Sequence, residues 1–135
     1  MNTVYEINFD WWSTRIDEYE NYVWDFLCDQ HRQELVNFES CRDTVFDLID
    51  VNTGLVSSVG AVEYYIRMHC FDSNCSIKTG MTMIDSMFLV LFANGNTPMT
   101  VKQLAAQIGR DTQSKTISRM FSGGKIHKGI TSRSK

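Results

Sequence analysis

Apolar residues recur along the first part of the chain at the spacing of an α-helix. Steps of four and three residues connect Trp12, Ile16, Tyr19, Val23 and Phe26. Such steps place side chains on one helix face. The chain has one proline, Pro98, so no proline interrupts a helix before that point. The pattern predicts a long helix that begins with Asp10 as its cap and runs to about Phe38, with a break near its end.

The same periodicity predicts three further helices before residue 94. In the second helix, Ser40 and Asp43 have the spacing of a capping box, and Asn52 and Gly54 end the helix. Its predicted buried residues are Val45, Leu48 and Ile49. Those of the third helix are Val59, Val62, Ile66 and Cys70. Those of the fourth helix, over 81–93, are Ile84, Met87, Phe88 and Leu91. Alternation from Val4 to Phe9 predicts one short strand.

Charge divides the chain into two parts. Residues 1–75 hold 14 Asp and Glu against 4 Arg, which gives −10, and residues 76–135 hold 9 Lys and Arg against 2 Asp, which gives +7. Turn-forming residues cluster at 72–80 and predict the boundary. We therefore expect an acidic helical region at 1–75 that dimerises or binds a partner, and a basic region at 81–135 that meets a polyanion. The alternative is that the two halves attract each other.

Several classes of protein do not fit this sequence. The N-terminus has neither the basic nor the long apolar segment of a secretory signal, and the run from Met87 to Ala93 is too short to cross a bilayer, which favours the cytoplasm. The four cysteines, Cys28, Cys41, Cys70 and Cys75, match no zinc-binding spacing, so we expect thiols and no metal. We also expect no cofactor and no enzymatic activity, since no phosphate loop or catalytic triad is visible.

The segment LAAQIGRDTQSKTISRMF, residues 104–121, predicts two short helices with a corner between them. Thr100 and Gln103 form a capping box, and Gly109 ends the first helix. Asp111 or Thr112 would cap the second helix, and Gly123 and Gly124 would end it. Its predicted buried stripe is Ile117, Met120 and Phe121. The other face carries small polar and basic residues, which suit a helix that enters the DNA major groove.

This segment resembles the helix-turn-helix of bacterial and phage regulators, the winged kind included. The family's Leu-Ala pair matches Leu104-Ala105, its turn glycine matches Gly109, and its recognition-helix motif matches residues 116–119. The turn here has about two residues more. The resemblance covers about residues 81–132. The periodicity predicts a mainly α fold with an N-terminal helical subdomain, and the resemblance implies that a C-terminal winged-like helix-turn-helix follows it. The C-terminal residues 125–132 predict a small β-hairpin turning at Lys128 and Gly129.

The sequence therefore predicts a DNA-binding transcriptional regulator that acts as a homodimer on double-stranded DNA. Its reading helix would run from Thr112 to Ser122, with Lys115, Ser118 and Arg119 as principal contacts. The complete predicted contact set is Arg110, Thr112, Gln113, Ser114, Lys115, Thr116, Ser118, Arg119, Ser122, Lys125, Lys128 and Arg133.

A protein partner is the alternative to DNA. In that hypothesis, of a phage- or plasmid-type inhibitor or adaptor, the acidic N-terminal half binds a host protein. In either case Trp11, Tyr22 and Trp24 are candidates for a dimer or partner surface, because Trp and Tyr favour interfaces. The alternative for these three residues is that they cover a small core.

Overall fold

The computed structural model describes residues 3–49, 53–70 and 81–134. The chain forms two compact units, one of residues 17–76 and the other of residues 1–16 together with 77–135. We call them the acidic unit and the basic unit. The acidic unit holds 12 Asp and Glu against 3 Arg, which gives −9, and the basic unit holds 10 Lys and Arg against 4 Asp and Glu, which gives +6. Residues 1–16 thus cluster with the C-terminal region rather than with the rest of the predicted acidic region. Partner binding by the acidic region and polyanion binding by the basic region stay predictions.

The described residues contain helices and strands in alternation. In chain order they are β1 (Thr3–Ile7), α1 (Phe9–Trp12), α2 (Ile16–Trp24), α3 (Asp29–Leu35), α4 (Phe38–Cys41), β2 (Val45–Ile49), β3 (Val56–Gly60), α5 (Ala61–Tyr65), a π-helical turn (Ile66–Cys70), α6 (Met83–Ala93), β4 (Met99–Thr100), α7 (Val101–Gln107), a 3-10 turn (Asp111–Gln113), α8 (Ser114–Met120), a 3-10 turn (Ser122–Gly124) and β5 (Ile130–Ser134).

The basic unit is built on a three-stranded antiparallel sheet with the N-terminal strand at its centre. β1 pairs with β4 on one side and with β5 on the other. At the end of β1, past its pairing with β4, the Asn96 Oδ1 accepts from the Ile7 N–H at 2.7 Å and the Asn96 Nδ2 donates to the Ile7 carbonyl at 2.8 Å. Helix α6 contacts β1, and its residues 86–92 are all buried. This strongly apolar helix supplies much of the unit's core.

In the acidic unit, short helices accompany a two-stranded antiparallel hairpin of β2 and β3. Helix α5 follows β3 directly and contacts both strands, with Phe46 stacked on Tyr64 at a centroid distance of 4.6 Å. The Arg42 guanidinium joins α4 to α2 through two hydrogen bonds to the Glu20 carboxylate, of 3.0 and 2.7 Å. The buried apolar residues of this unit are Val23, Phe26, Leu27, Cys41, Ala61, Val62 and Ile66.

The structure corrects the predicted fold class. The described residues form a mixed α/β protein with two antiparallel sheets, so the prediction of a mainly α fold with a winged-like helix-turn-helix was wrong. The predicted turn at Lys128 and Gly129 is present, and His127 and Ile130 form a bridge across it. However, β5 pairs along its length with the N-terminal strand, and the paired residues, from Ile7–Ile130 to Thr3–Ser134, are 123 to 131 residues apart in sequence. Local periodicity contains no information on such pairing.

The long N-terminal helix is also a wrong prediction, because the segment forms four short helices. Asn8, rather than Asp10, caps the first of them: its Oδ1 accepts from the Asp10 N–H at 2.9 Å. The predicted stripe fails at Ile16, which is 51% exposed. Helix α3 ends at Leu35, and Val36 after it has a φ of 73° and a ψ of −64°, the conformation of a γ-turn in which the Asn37 N–H donates to the Leu35 carbonyl at 2.9 Å.

The predicted second helix is a β-strand. Val45, Leu48 and Ile49 were assigned to a buried helix face, but they lie in β2, where Val45 and Ile49 are 61% and 62% exposed. Short apolar runs fit both periods, and β-branched residues favour strands. Of the third predicted helix, Val59 lies in β3, and Val62 and Ile66 are buried as expected. The predicted stop at Asn52 and the predicted boundary at 72–80 lie outside the described residues.

Two local predictions in the basic unit are confirmed. The predicted strand is present as β1, although it ends at Ile7 rather than at Phe9. The predicted fourth helix is present as α6, which begins two residues later, with Thr82 as its cap. Met87, Phe88 and Leu91 are buried as predicted, and Ile84 is half-buried.

Candidate nucleic-acid interface

Helices α7 and α8 meet at a tight corner in the basic unit. The predicted capping box begins α7: the Thr100 hydroxyl accepts from the Gln103 N–H, and the Gln103 side chain accepts from the Thr100 N–H. Gly109, at a φ of 73°, ends the helix as predicted, and the Arg110 N–H donates to the Ala105 carbonyl at 2.8 Å. The lengthened turn contains the 3-10 turn Asp111–Gln113, so neither Asp111 nor Thr112 caps α8.

The back of α8 is fixed in the core. Ile117 is fully buried, and Phe121, directly after the helix, is 2% exposed and contacts the Tyr5 ring edge to face at 5.1 Å. Met120 is half-buried, and its carbonyl accepts a hydrogen bond from His127 Nε2 at 2.8 Å. These contacts tie both ends of the chain to the helix, so the orientation of α8 within the unit is set by packing.

The front of α8 is open to solvent. Lys115, Thr116, Ser118 and Arg119 are all exposed. Lys115 and Arg119 are four residues apart and therefore neighbours on the helix surface. Neither cation forms an ion pair with a carboxylate in the part of the chain that the structure describes. The front thus presents two available cations beside small hydroxyl side chains.

Four predicted polar contacts lie at the ends of this helix. Thr112 and Gln113 belong to the 3-10 turn before α8, and Ser122 belongs to the turn after it, so the helix is shorter than the predicted 112–122. The hydroxyls of Ser114 and Ser122 donate to the carbonyls of Asp111 and Arg119, at 3.5 and 2.9 Å. They therefore remain available chiefly as acceptors.

The four flanking cations differ in their surroundings. Lys125 and Lys128 are exposed, and the Lys128 carbonyl accepts from the Trp12 indole N–H at 3.1 Å. Arg133 is exposed but forms an ion pair of 2.9 Å with Glu6. Arg110 is half-buried, and its guanidinium donates to the Met81 carbonyl at 3.1 Å. Arg110 thus has a structural task at the corner in addition to any contact with a ligand.

The predicted partner-binding aromatics do not belong to one unit. Trp11 lies in the basic unit, where the Arg15 guanidinium stacks over its ring at 4.0 Å. Tyr22 and Trp24 lie in α2 of the acidic unit, and Tyr22 contacts Phe26 edge to face at 5.1 Å. All three side chains are half-buried. They are therefore partly occupied by contacts within their own units.

Sequence reasoning missed two features. Lys102, on the first turn of α7, is exposed and adds a cation to the basic unit; its charge is the signal that the sequence offers for this role. The hairpin of the acidic unit exposes an apolar surface, made of Val45, Ile49, Leu55 and Val56. The signal in the sequence was the β-branched pair Val45 and Ile49, which lie on the same exposed face of β2.

The chain matches no protein-family model, no curated protein and no solved structure at a significant level. Within the described residues, no helix has the length and apolar character needed to cross a bilayer. Within the same residues, no group of three or more His, Cys, Asp or Glu side chains is arranged to hold a metal ion.

Proposed function

We propose that this protein is a DNA-binding regulator that inserts α8 into the major groove of double-stranded DNA. The observation that carries the proposal is the two-sided character of α8. Its back, at Ile117, is fully buried, and its front exposes Lys115 and Arg119. A major groove admits an α-helix, and small residues such as Thr116 and Ser118 allow the helix to approach the bases closely.

Each residue of the front has a distinct proposed task. Arg119 donates two hydrogen bonds to the O6 and N7 atoms of a guanine, which is the commonest specific contact of arginine. Lys115 binds a second base or a phosphate, and Thr116 contacts a thymine methyl or a phosphate. The net charge of +6 in the basic unit supplies the attraction to phosphates that every duplex offers.

The flanking residues position the helix. Lys125 and Lys128 bind phosphates directly, and Lys102 extends this phosphate-binding set to α7. Arg133 must exchange its ion pair with Glu6 for a phosphate, an exchange of low cost because exposed ion pairs contribute little. Arg110 supports the corner through its bond to Met81.

The resemblance of residues 104–119 to the helix-turn-helix of regulators supports sequence-specific binding rather than general DNA coating. Regulators of this kind act in the cytoplasm as homodimers, and we extend both properties to this protein. Two copies related by a two-fold axis would then prefer palindromic sites.

The first experiment is fluorescence anisotropy of the full chain with a labelled duplex of random sequence, over a series of salt concentrations. We expect binding that weakens steeply with salt. Lys115→Ala/Arg119→Ala should bind at least about 10-fold more weakly, and each lost phosphate contact should lower the salt slope by about 1. A base contact, by contrast, lowers affinity for a selected site with little change of slope.

A control variant removes two positive charges from the acidic unit instead. In Arg32→Ala/Arg42→Ala the net charge changes equally, but both arginines are paired with carboxylates far from α8 in sequence. This control should bind DNA like the wild type. Absence of binding by the wild type at low salt, or equal losses in the two double variants, would contradict the proposal.

A second function, binding of a protein partner by the acidic unit, is favoured by one observation. The exposed apolar residues of the hairpin lie within a unit of net charge −9. An apolar centre surrounded by negative charge is complementary to a basic protein surface. We propose that a basic host protein is the partner, bound through the hairpin face.

The test uses the full chain as bait beside the variant Ile49→Lys/Val56→Lys. We expect the wild type to retain a protein that the variant does not retain. After purification, this protein should bind the wild type with an affinity that falls as the salt concentration rises. If the wild type and the variant retain the same proteins, or if purified candidates bind both equally, the hairpin face has no such task.

A further inference from the structure

A thiol and an imidazole lie in hydrogen-bonding contact in the acidic unit. Cys28 Sγ is 3.0 Å from His31 Nδ1. Cys28 occupies the N-cap position of α3, but its side chain makes no capping hydrogen bond with the helix backbone. The Cys-x-x-His spacing brings the two side chains together across the first helical turn.

Neighbouring rings hold the imidazole in place. The His31 ring lies 4.9 Å from the Tyr65 ring and 5.3 Å from the His69 ring, between centroids, with interplanar angles of 36° and 41°. Tyr65 ends α5, and His69 lies in the π-helical turn. A nucleophile within hydrogen-bond reach of a base that other groups orient is the usual arrangement of an activated cysteine.

We propose that Cys28 and His31 form a reactive thiol site that is modified by peroxide. The thiol proton passes to His31 Nδ1, and the Sγ thiolate attacks one oxygen of hydrogen peroxide. The S–O bond forms as the O–O bond breaks, and the departing hydroxide takes the proton from His31 and leaves as water. Sulfur loses two electrons, peroxide gains them, and the product is a cysteine sulfenic acid.

The charged side chains near the pair are themselves paired with one another. On α3 itself, Asp29 and Arg32 are paired at 2.8 Å, and Glu63 and Arg67 are paired at 2.9 Å on the facing elements. Tyr65 and His69 are the titratable groups whose rings face His31. The proposal does not depend on DNA binding.

Cys41 of the same unit is a natural control. Cys28 is half-buried and within reach of a small reagent, whereas Cys41 is buried. Cys41 Sγ donates to the carbonyls of Asn37 and Phe38, at 3.4 and 3.5 Å. Burial also raises the pKa of the Cys41 thiol. The two cysteines therefore differ in both access and activation.

The experiment is timed alkylation of the folded full chain with iodoacetamide, followed by trypsin and mass spectrometry. Cleavage after arginine places Cys28 and Cys41 in different peptides, 16–32 and 33–42. At about pH 6.5, Cys28 should react roughly 10-fold faster than Cys41. His31→Gln should lower the alkylation rate of Cys28 by about 10-fold at that pH. Near pH 9 the decrease should be much smaller, because a thiol ionises there without a neighbouring base. Peroxide followed by dimedone should label Cys28 and spare Cys41.

Two results would overturn the proposal. One is an equal rate for Cys28 and Cys41 in the wild type across this pH range. The other is a Cys28 rate at about pH 6.5 that His31→Gln leaves unchanged. If His31→Gln fails to fold, as circular dichroism would show, the wild-type rates and the dimedone label decide the question alone.

Discussion

The basic and acidic units differ in how they treat their large apolar side chains. Among the described residues, six of the nine exposed large apolar side chains lie in the acidic unit: Val36, Val45, Ile49, Leu55, Val56 and Met68. The basic unit buries residues 86–92 of the apolar helix α6 and has the N-terminal strand at the centre of its sheet. The difference indicates that burial of apolar side chains stabilises the basic unit, whereas backbone hydrogen bonds between β2 and β3 stabilise the hairpin of the acidic unit.

The largest expected effect contrasts one isoleucine in each unit. Ile117→Ala should lower the free energy of unfolding by about 4 kcal/mol, because it leaves a cavity behind α8. Ile49→Ala, at a position 62% exposed, should change it by less than about 1 kcal/mol. Denaturant unfolding measures both values. Similar losses at the two positions would break the comparison, since they would mean that something covers the hairpin face.

Gly129 should be the next most sensitive position. It has a φ of 79°, and a Cβ there would lie 2.6 Å from the Trp12 indole nitrogen. Gly129→Ala should therefore destabilise the basic unit by about 3 kcal/mol, through backbone strain and overpacking. Gly124→Ala is the matched control, because its φ is 76° but its surroundings are open, and about 1 kcal/mol is expected. Thermal unfolding distinguishes the two, and equal shifts would show that the Trp12 contact is unimportant.

Asn96 tests the attachment of β1. Its side chain makes both hydrogen bonds to the Ile7 backbone, and its φ of 61° is one that glycine adopts freely. Asn96→Gly should cost about 2 kcal/mol through the loss of two hydrogen bonds, with the turn retained. Hydrogen exchange should show faster exchange of the Ile7 amide. Unchanged protection of that amide would mean that other contacts hold the strand.

The smallest expected effect is a pH dependence in the acidic unit. Burial raises the pKa of Tyr19, and the carboxylates of Glu63 and Glu20 add to the increase. Because the folded-state pKa lies above the unfolded value of 10.0, stability is fully present below pH 10 and is lost as the pH rises above it. The slope should reach about 1.4 kcal/mol per pH unit above pH 10. Tyr19→Phe should abolish this part of the slope in unfolding titrations.

Much of the α7–α8 corner was predictable because its signals are local. The capping box at Thr100 and Gln103, the left-handed Gly109 and the buried Ile117 each depend on residues within one or two helical turns. The 3-10 turn at 111–113 was not predicted, since short helical turns of this kind have weak sequence signals. The shortened α8 and the bond from Arg110 to Met81 follow from that turn and from packing.

By itself, the sequence determined the charge division, the apolar helix α6, the corner after Gly109 and the amphipathic character of residues 114–120. Tertiary structure alone decided that Thr3–Ile7 joins β5 at the far end of the chain, and that Val45–Ile49 forms a strand. The physical reason is the range of the interactions. Caps and helical faces are set by neighbours in sequence, whereas strand pairing depends on distant backbone groups that only the folded chain brings together.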